Sequence, residues 1–134
     1  MMLNGALAGL VAITAEPLTP GPITAMFIGS IGAIIMYFGT KMLESYGLDD
    51  VVGAIPVHMF AGIFGTLVVP LTNSDTSFGT QFIGTASVCI FSFGLSWITF
   101  TLLKSTIGLR ISKAAEKLGT DKAEVGVTAY SIRD

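Results

Sequence analysis

One side chain in this sequence could handle a proton from inside an apolar stretch. His58 is the single histidine, and it lies in a run from Val51 to Ser74 that holds no Asp, Glu, Lys or Arg. An imidazole titrates near neutrality, so small changes in its surroundings decide its charge. In a dry environment desolvation favours the neutral ring. A neutral ring can exchange hydrogen bonds with a small polar solute without adding charge. Ionisable groups inside membranes are rare and usually face a pathway or a polar partner. The plainer alternative is a packing histidine bonded to a neighbouring helix. Thr14 is a second polar group that could border such a pathway, although a hydroxyl within a helix commonly bonds to its own backbone. No paired carboxylates, nucleophile–base set or metal cluster accompanies them in the apolar segments. The sequence therefore points away from an enzyme and asks for no metal or other cofactor. Cys89 is the lone cysteine. It cannot form an internal disulfide, falls short of a zinc site, and reads as a small buried hydrophobe.

The elements that position His58 must be membrane-spanning. Of 134 residues, 51% are hydrophobic and only 12% charged, about half the charged share of a soluble domain. Charged residues are absent from Pro17 to Thr40, from Val51 to Ser74 and from Thr76 to Leu103. Each gap exceeds the roughly 18–20 residues that carry a helix across a bilayer core. Four apolar segments result, at about 3–15, 23–43, 51–71 and 78–103, followed by a polar tail over 104–134. Backbone groups in lipid must be satisfied internally, and no alternating barrel-strand pattern appears. The expected fold is all-α, a polytopic transmembrane helix bundle that could not fold as a soluble domain. The first segment has roughly the length of a signal peptide. It lacks a basic start, however, and Asn4 and Gly5 interrupt it.

Pro17, Pro20 and Pro22 end the first segment, because prolines so close together cannot continue a helix. Gly53 and Pro56 predict a kinked or broken first half of the third segment. Gly5/Gly9, Gly29/Gly32 and Gly62/Gly65 share helix faces and would let helices approach closely. In the tail, Ile107, Ile111, Ala115 and Leu118 recur at helical spacing and predict an amphipathic helix for the headgroups or the cytoplasmic face. Lys41 lies at the end of segment two, on the side that leads to segment three, and the other basic residues all follow segment four. All seven then fall on one side, which the positive-inside rule makes cytoplasmic. The net charge of −2 and the absence of a basic stripe with interleaved aromatics give no sign of nucleic-acid binding.

Three stretches carry a resemblance. The run from Asn4 to Thr14, NGALAGLVAIT, is similar to the broken-helix signature of the ammonium transporter family (Amt/Mep/Rh). Leu48 to His58, LDDVVGAIPVH, followed by Ala61 to Thr66, AGIFGT, resembles that family's DDPVGAxPVHGxxGxxGT stretch. Ile107 to Ile111, with Gly126 and Ala129-Tyr130, resembles the close of its last helix and its terminal HGExAY. The motifs run in family order over nearly the whole chain.

The resemblance implies the C-terminal third of a family member, a partial ammonium-transporter fold holding helices eight to eleven of eleven. It implies a homotrimer in the plasma membrane, completed by the N-terminal helices, with one pore per subunit and a cytoplasmic C-terminus. His58 matches the second of two pore histidines. Ammonium would lose its proton outside and cross as ammonia through a narrow apolar pore. Leu7 and Ala54 would line its cytoplasmic half, and Thr14 would lie near the histidines. Asp50, Gly126 and Tyr130 would serve structural or gating roles at the cytoplasmic side, where a PII-type signalling protein could bind. Met59, Val51, Val125 and Val127 depart from the family pattern. The two tail departures bear on PII-type control more than on conduction. A different class of function is a truncated, non-transporting membrane module that packs against or regulates a full-length transporter.

Overall fold

Residues 1–129 are described by a computed structural model, and no strand occurs among them. The helices are α1 (Met2–Thr14), α2 (Pro22–Ser45), a π-helical turn (Ile55–Phe60), α3 (Ala61–Val68), a 3-10 turn (Val69–Leu71), α4 (Phe78–Thr106) and α5 (Lys113–Leu118). A second π-turn, Asp121–Val125, follows. The chain divides into two compact units, Met1–Ile90 and Phe91–Asp134.

Local chemistry sets the limits of the elements in the first unit. Pro22 opens α2 at a position where a missing N–H is no loss. Gly47, at φ 68°, closes it. The Gly47 amide bonds to Glu44 and the Leu48 amide to Leu43, a Schellman arrangement that satisfies the last carbonyls. α2 and α4, of 24 and 29 residues, are long and apolar enough to cross a membrane. Met2–Thr14 and Ile55–Leu71 are shorter. None of α4's residues is buried within the chain, and its rings at Phe82, Phe91 and Phe93 stand open, as a lipid- or protein-facing membrane helix would leave them.

α1 and α2 pack against each other and against the π-turn and α3. The contacts are made where side chains are smallest. A Cβ on Gly9 would stand 3.1 Å from the Gly29 carbonyl oxygen, and one on Gly32 would stand 2.6 Å from the Ala12 methyl. A Cβ on Gly65 would collide with the Ala12 carbonyl oxygen. Ala8 and Ala12 are buried beneath these contacts, and Ala8, Met36, Val57 and Ala61 form a core with Val11 against it. Lipid supplies no hydrophobic drive between helices, so this close van der Waals packing is what joins them. In two of the expected glycine pairs only one member is at close range. Gly5 and Gly62 see only ordinary contacts, with Met36 and Val11.

A polar latch closes one end of this unit. Glu16 accepts from the amides of Leu18 and Thr19 through one oxygen, and from Asn73 Nδ2 at 2.9 Å through the other. The loop after α1 is thereby tied to the loop after the 3-10 turn. Its bond from Asn73, and then that from Leu18, hold the Glu16 carboxyl below its ordinary value.

The second unit corrects one expectation. Ile107 and Ile111 do not share a helix with Ala115 and Leu118. Gly108, at φ 80°, ends the apolar helix, and a new start comes only at Ser112, whose hydroxyl accepts from the Ala115 amide. Arg110 pairs with Glu116 across that start. Asp121 then accepts from the Ala129 amide at 2.9 Å.

Two outcomes follow from this packing. Gly65→Ala should destabilise the purified chain in detergent by about 1–3 kcal/mol, read by thermal unfolding, while Gly62→Ala should change little. A carboxylate held low stabilises the fold above its unfolded pKa and loses that contribution as pH falls through the lowered value. The melting difference between the parent and Glu16→Gln should therefore be present at neutral pH and vanish on acidification below the ordinary glutamate range.

Candidate functional site

His58 sits on the π-turn, and the residues before it explain why the helix begins there. Gly53 adopts φ 73°, a left-handed conformation costly for other residues. Its amide bonds to the Asp50 carbonyl at 3.1 Å. The Asp50 carboxylate accepts from the Ala54 amide at 2.9 Å and the Ile55 amide at 2.8 Å, one oxygen each. Both amides open the helix and would otherwise lack partners. Pro56 comes next, where no N–H is needed.

The packing then divides the turn into two sides. Pro56 is fully buried and Val57 nearly so. Gly39 makes the seat on α2 for Pro56 and Phe60. A Cβ there would lie 2.5 Å from the Phe60 ring and 3.2 Å from the Pro56 Cβ. His58, the next residue, is exposed within the chain. A π-turn inserts a residue into the helical register and often marks a functional position. Here it holds Pro56 and Val57 inward while the imidazole is left open.

The other expected pathway residues are also uncovered. Leu7 is 49% exposed, and Ala54 and Thr14 are exposed. Leu7 and Thr14 are seven residues apart on α1, about two turns, so they share a face. Ala8 and Ala12, on the same helix, are buried. α1 contacts the His58 turn. The Thr14 hydroxyl donates to the Leu10 carbonyl at 2.6 Å. Its proton is therefore committed to its own helix, and its oxygen can only accept.

The cytoplasmic-side expectations meet the structure unevenly. Asp50 is the helix cap just described. Gly126 takes a left-handed φ of 76° after the second π-turn. Tyr130 lies outside the described residues. Among those described, no group of three His, Cys, Asp or Glu side chains could hold a metal.

One polar contact at this site has no signal in the sequence pattern. Asn4 Nδ2 donates to the Val52 carbonyl at 3.0 Å, joining the start of α1 to the loop that leads into the His58 turn. Its partners are 48 residues apart, and neither periodicity nor propensity could have paired them.

Comparison with known proteins places the chain in a family. The sequence model described as Ammonium Transporter Family matches residues 1–130. The chain is 38% identical to ammonium transporter Amt2 of Archaeoglobus fulgidus over 151 residues, 97% of this chain and 32% of that protein. It is 39% identical to a putative ammonium transporter of Synechocystis, over 92% of this chain and 25% of the relative. Similarity reaches ammonium transporter 1 of Schizosaccharomyces pombe at 29% identity, over 98% and 31% of the two chains. The chain thus spans about a quarter to a third of the length of these relatives.

Replacing Asp50 by Ala should free the Ala54 and Ile55 amides and weaken the fold by about 0.5–2 kcal/mol. Hydrogen exchange should quicken at those two amides while the α1–α2 contact around Gly9 and Gly29 stays protected.

Proposed function

The chain belongs to the Ammonium Transporter Family and is a membrane protein, and from that premise we propose that it forms the C-terminal part of an ammonium-conducting subunit. The pathway runs past His58. The observation that carries this reading is the division of the π-turn, with Pro56 and Val57 anchored inward and His58 left exposed beside them.

Elementary electrostatics explains why such a pathway would use a neutral solute. An ammonium ion in a dry, apolar pore has lost its water, and an unpaired charge there is very unfavourable. Ammonia carries no charge and passes at far lower free energy. A neutral imidazole can accept from or donate to the solute at either nitrogen. Thr14 offers an acceptor for an N–H, and Leu7 and Ala54 give the inner half apolar walls. In this scheme, a proton removed at the outer side follows a polar path of its own along the histidines.

The same reading places the tail and Lys41 on the cytoplasmic side, because all seven basic residues then share it. It includes a homotrimer completed by N-terminal helices, in the plasma membrane. A PII-type protein would dock at the tail, with Asp50, Gly126 and Tyr130 acting in gating on that side.

The test uses a chimera in which the matching third of the Archaeoglobus fulgidus Amt2 protein is replaced by this chain. Uptake of labelled methylammonium by cells expressing it should fall at least about tenfold on His58→Ala, with equal protein in the membrane. Unchanged uptake and selectivity would remove His58 from the pathway.

A further inference from the structure

We propose that Asn4 is a positioning residue for the inner end of the pathway, setting the spacing between Leu7 on α1 and Ala54 at the start of the His58 turn. This rests on the reading of His58, Leu7 and Ala54 as pathway residues.

An asparagine in the first turn of a helix usually bonds to its own backbone or to water. Asn4 makes no side-chain bond to its own helix. α1 has no side-chain cap, and the Asn4 amide instead reaches the Val52 carbonyl at 3.0 Å. The receiving loop is shaped to admit it. A Cβ on Gly53 would stand 2.5 Å from Asn4 Nδ2, so the amide is seated where any other residue would put its side chain. The neighbouring polar groups of this loop are already engaged. Asp50 holds the Ala54 and Ile55 amides, its carbonyl takes the Gly53 amide, and the Gly53 carbonyl takes the Val57 amide.

The position of this bond gives it a functional consequence. Leu7 follows Asn4 by three residues, so the two are neighbours on the helix surface. Ala54 directly follows Gly53. One hydrogen bond therefore joins α1 to the loop that leads into the His58 turn, right beside the two residues assigned to the inner walls. Further along α1, spacing is set by the backbone contacts of Gly9 with Gly29 and of Ala12 with Gly65. At the Asn4 end no such glycine contact is present, since Gly5 meets only Met36 and Ala33 at ordinary distance. Removing the amide donor should loosen the inner mouth while leaving the packed middle in place.

The experiment measures ammonium and methylammonium conduction side by side in the chimera. A mouth of altered width changes passage of the larger solute more than that of the smaller. Asn4→Leu removes the donor at similar size. Asn4→Asp sets an acceptor against the Val52 carbonyl. Gly53→Ala leaves Asn4 intact but pushes its amide away. In whichever of these reaches the membrane at the parent's level, the ratio of methylammonium to ammonium flux should shift by about threefold or more, with apparent KM changed less than about twofold. A merely structural role would reduce the number of working pores, lowering both fluxes together. A ratio equal to the parent's therefore overturns the proposal. Failure of the underlying reading looks different, because there the parent chimera itself conducts no ammonium.

Discussion

A helix that starts inside or at the edge of a membrane must find partners for the amides it frees, and here Asp50 supplies two. Unsatisfied backbone groups in a water-poor setting cost several kcal/mol each. The carboxylate takes the amides of Ala54 and Ile55, Pro56 removes a third donor, and Gly53 turns the chain to let this happen. The register of the π-turn follows from that start. With it comes the separation of Pro56 and Val57, packed inward, from His58, left open. A break that would otherwise be a weakness becomes the device that orients a single imidazole.

The rest of the first unit keeps that device in place by two kinds of contact. Along the middle of α1, glycine and alanine bring backbones together, and Gly65 against Ala12 leaves no room for even a methyl group. At the ends of α1, polar side chains bind distant loops. Asn4 holds the Val52 carbonyl, and Glu16 holds Asn73. Asn4 and the last helical residue before Glu16's loop, Thr14, lie about 15 Å apart along α1, with the dry, close-packed stretch between them. Polar ties at the ends and small residues in the middle suit a helix whose middle meets protein and whose ends approach water.

Much of this was legible in the sequence, for definite reasons. Charge-free runs mark membrane helices because a charge there is so unfavourable. The prolines after Glu16 and the Gly53–Pro56 pair mark breaks because they alter φ and remove donors. The register of the π-turn was not legible, since it depends on which amides Asp50 reaches. The Asn4–Val52 and Glu16–Asn73 bonds were hidden as well, because a long-range bond between a side chain and a loop has no periodic trace. In the tail, periodicity misled. The spacing of Ile107, Ile111, Ala115 and Leu118 suits a helix, yet Gly108 in a left-handed conformation and the Ser112 cap set the boundary between them.

The central claim is that the capped π-turn presents His58 to a narrow pathway rather than to packing. The most direct measurement is an electron cryo-microscopy structure of the assembled chimera at a resolution that shows side chains. The account predicts the His58 imidazole on the wall of one continuous narrow channel, with Leu7 and Ala54 further along the same wall and Asp50 capping the turn from behind. An imidazole sealed against another helix by a hydrogen bond, or turned to lipid, with the channel elsewhere, would contradict it.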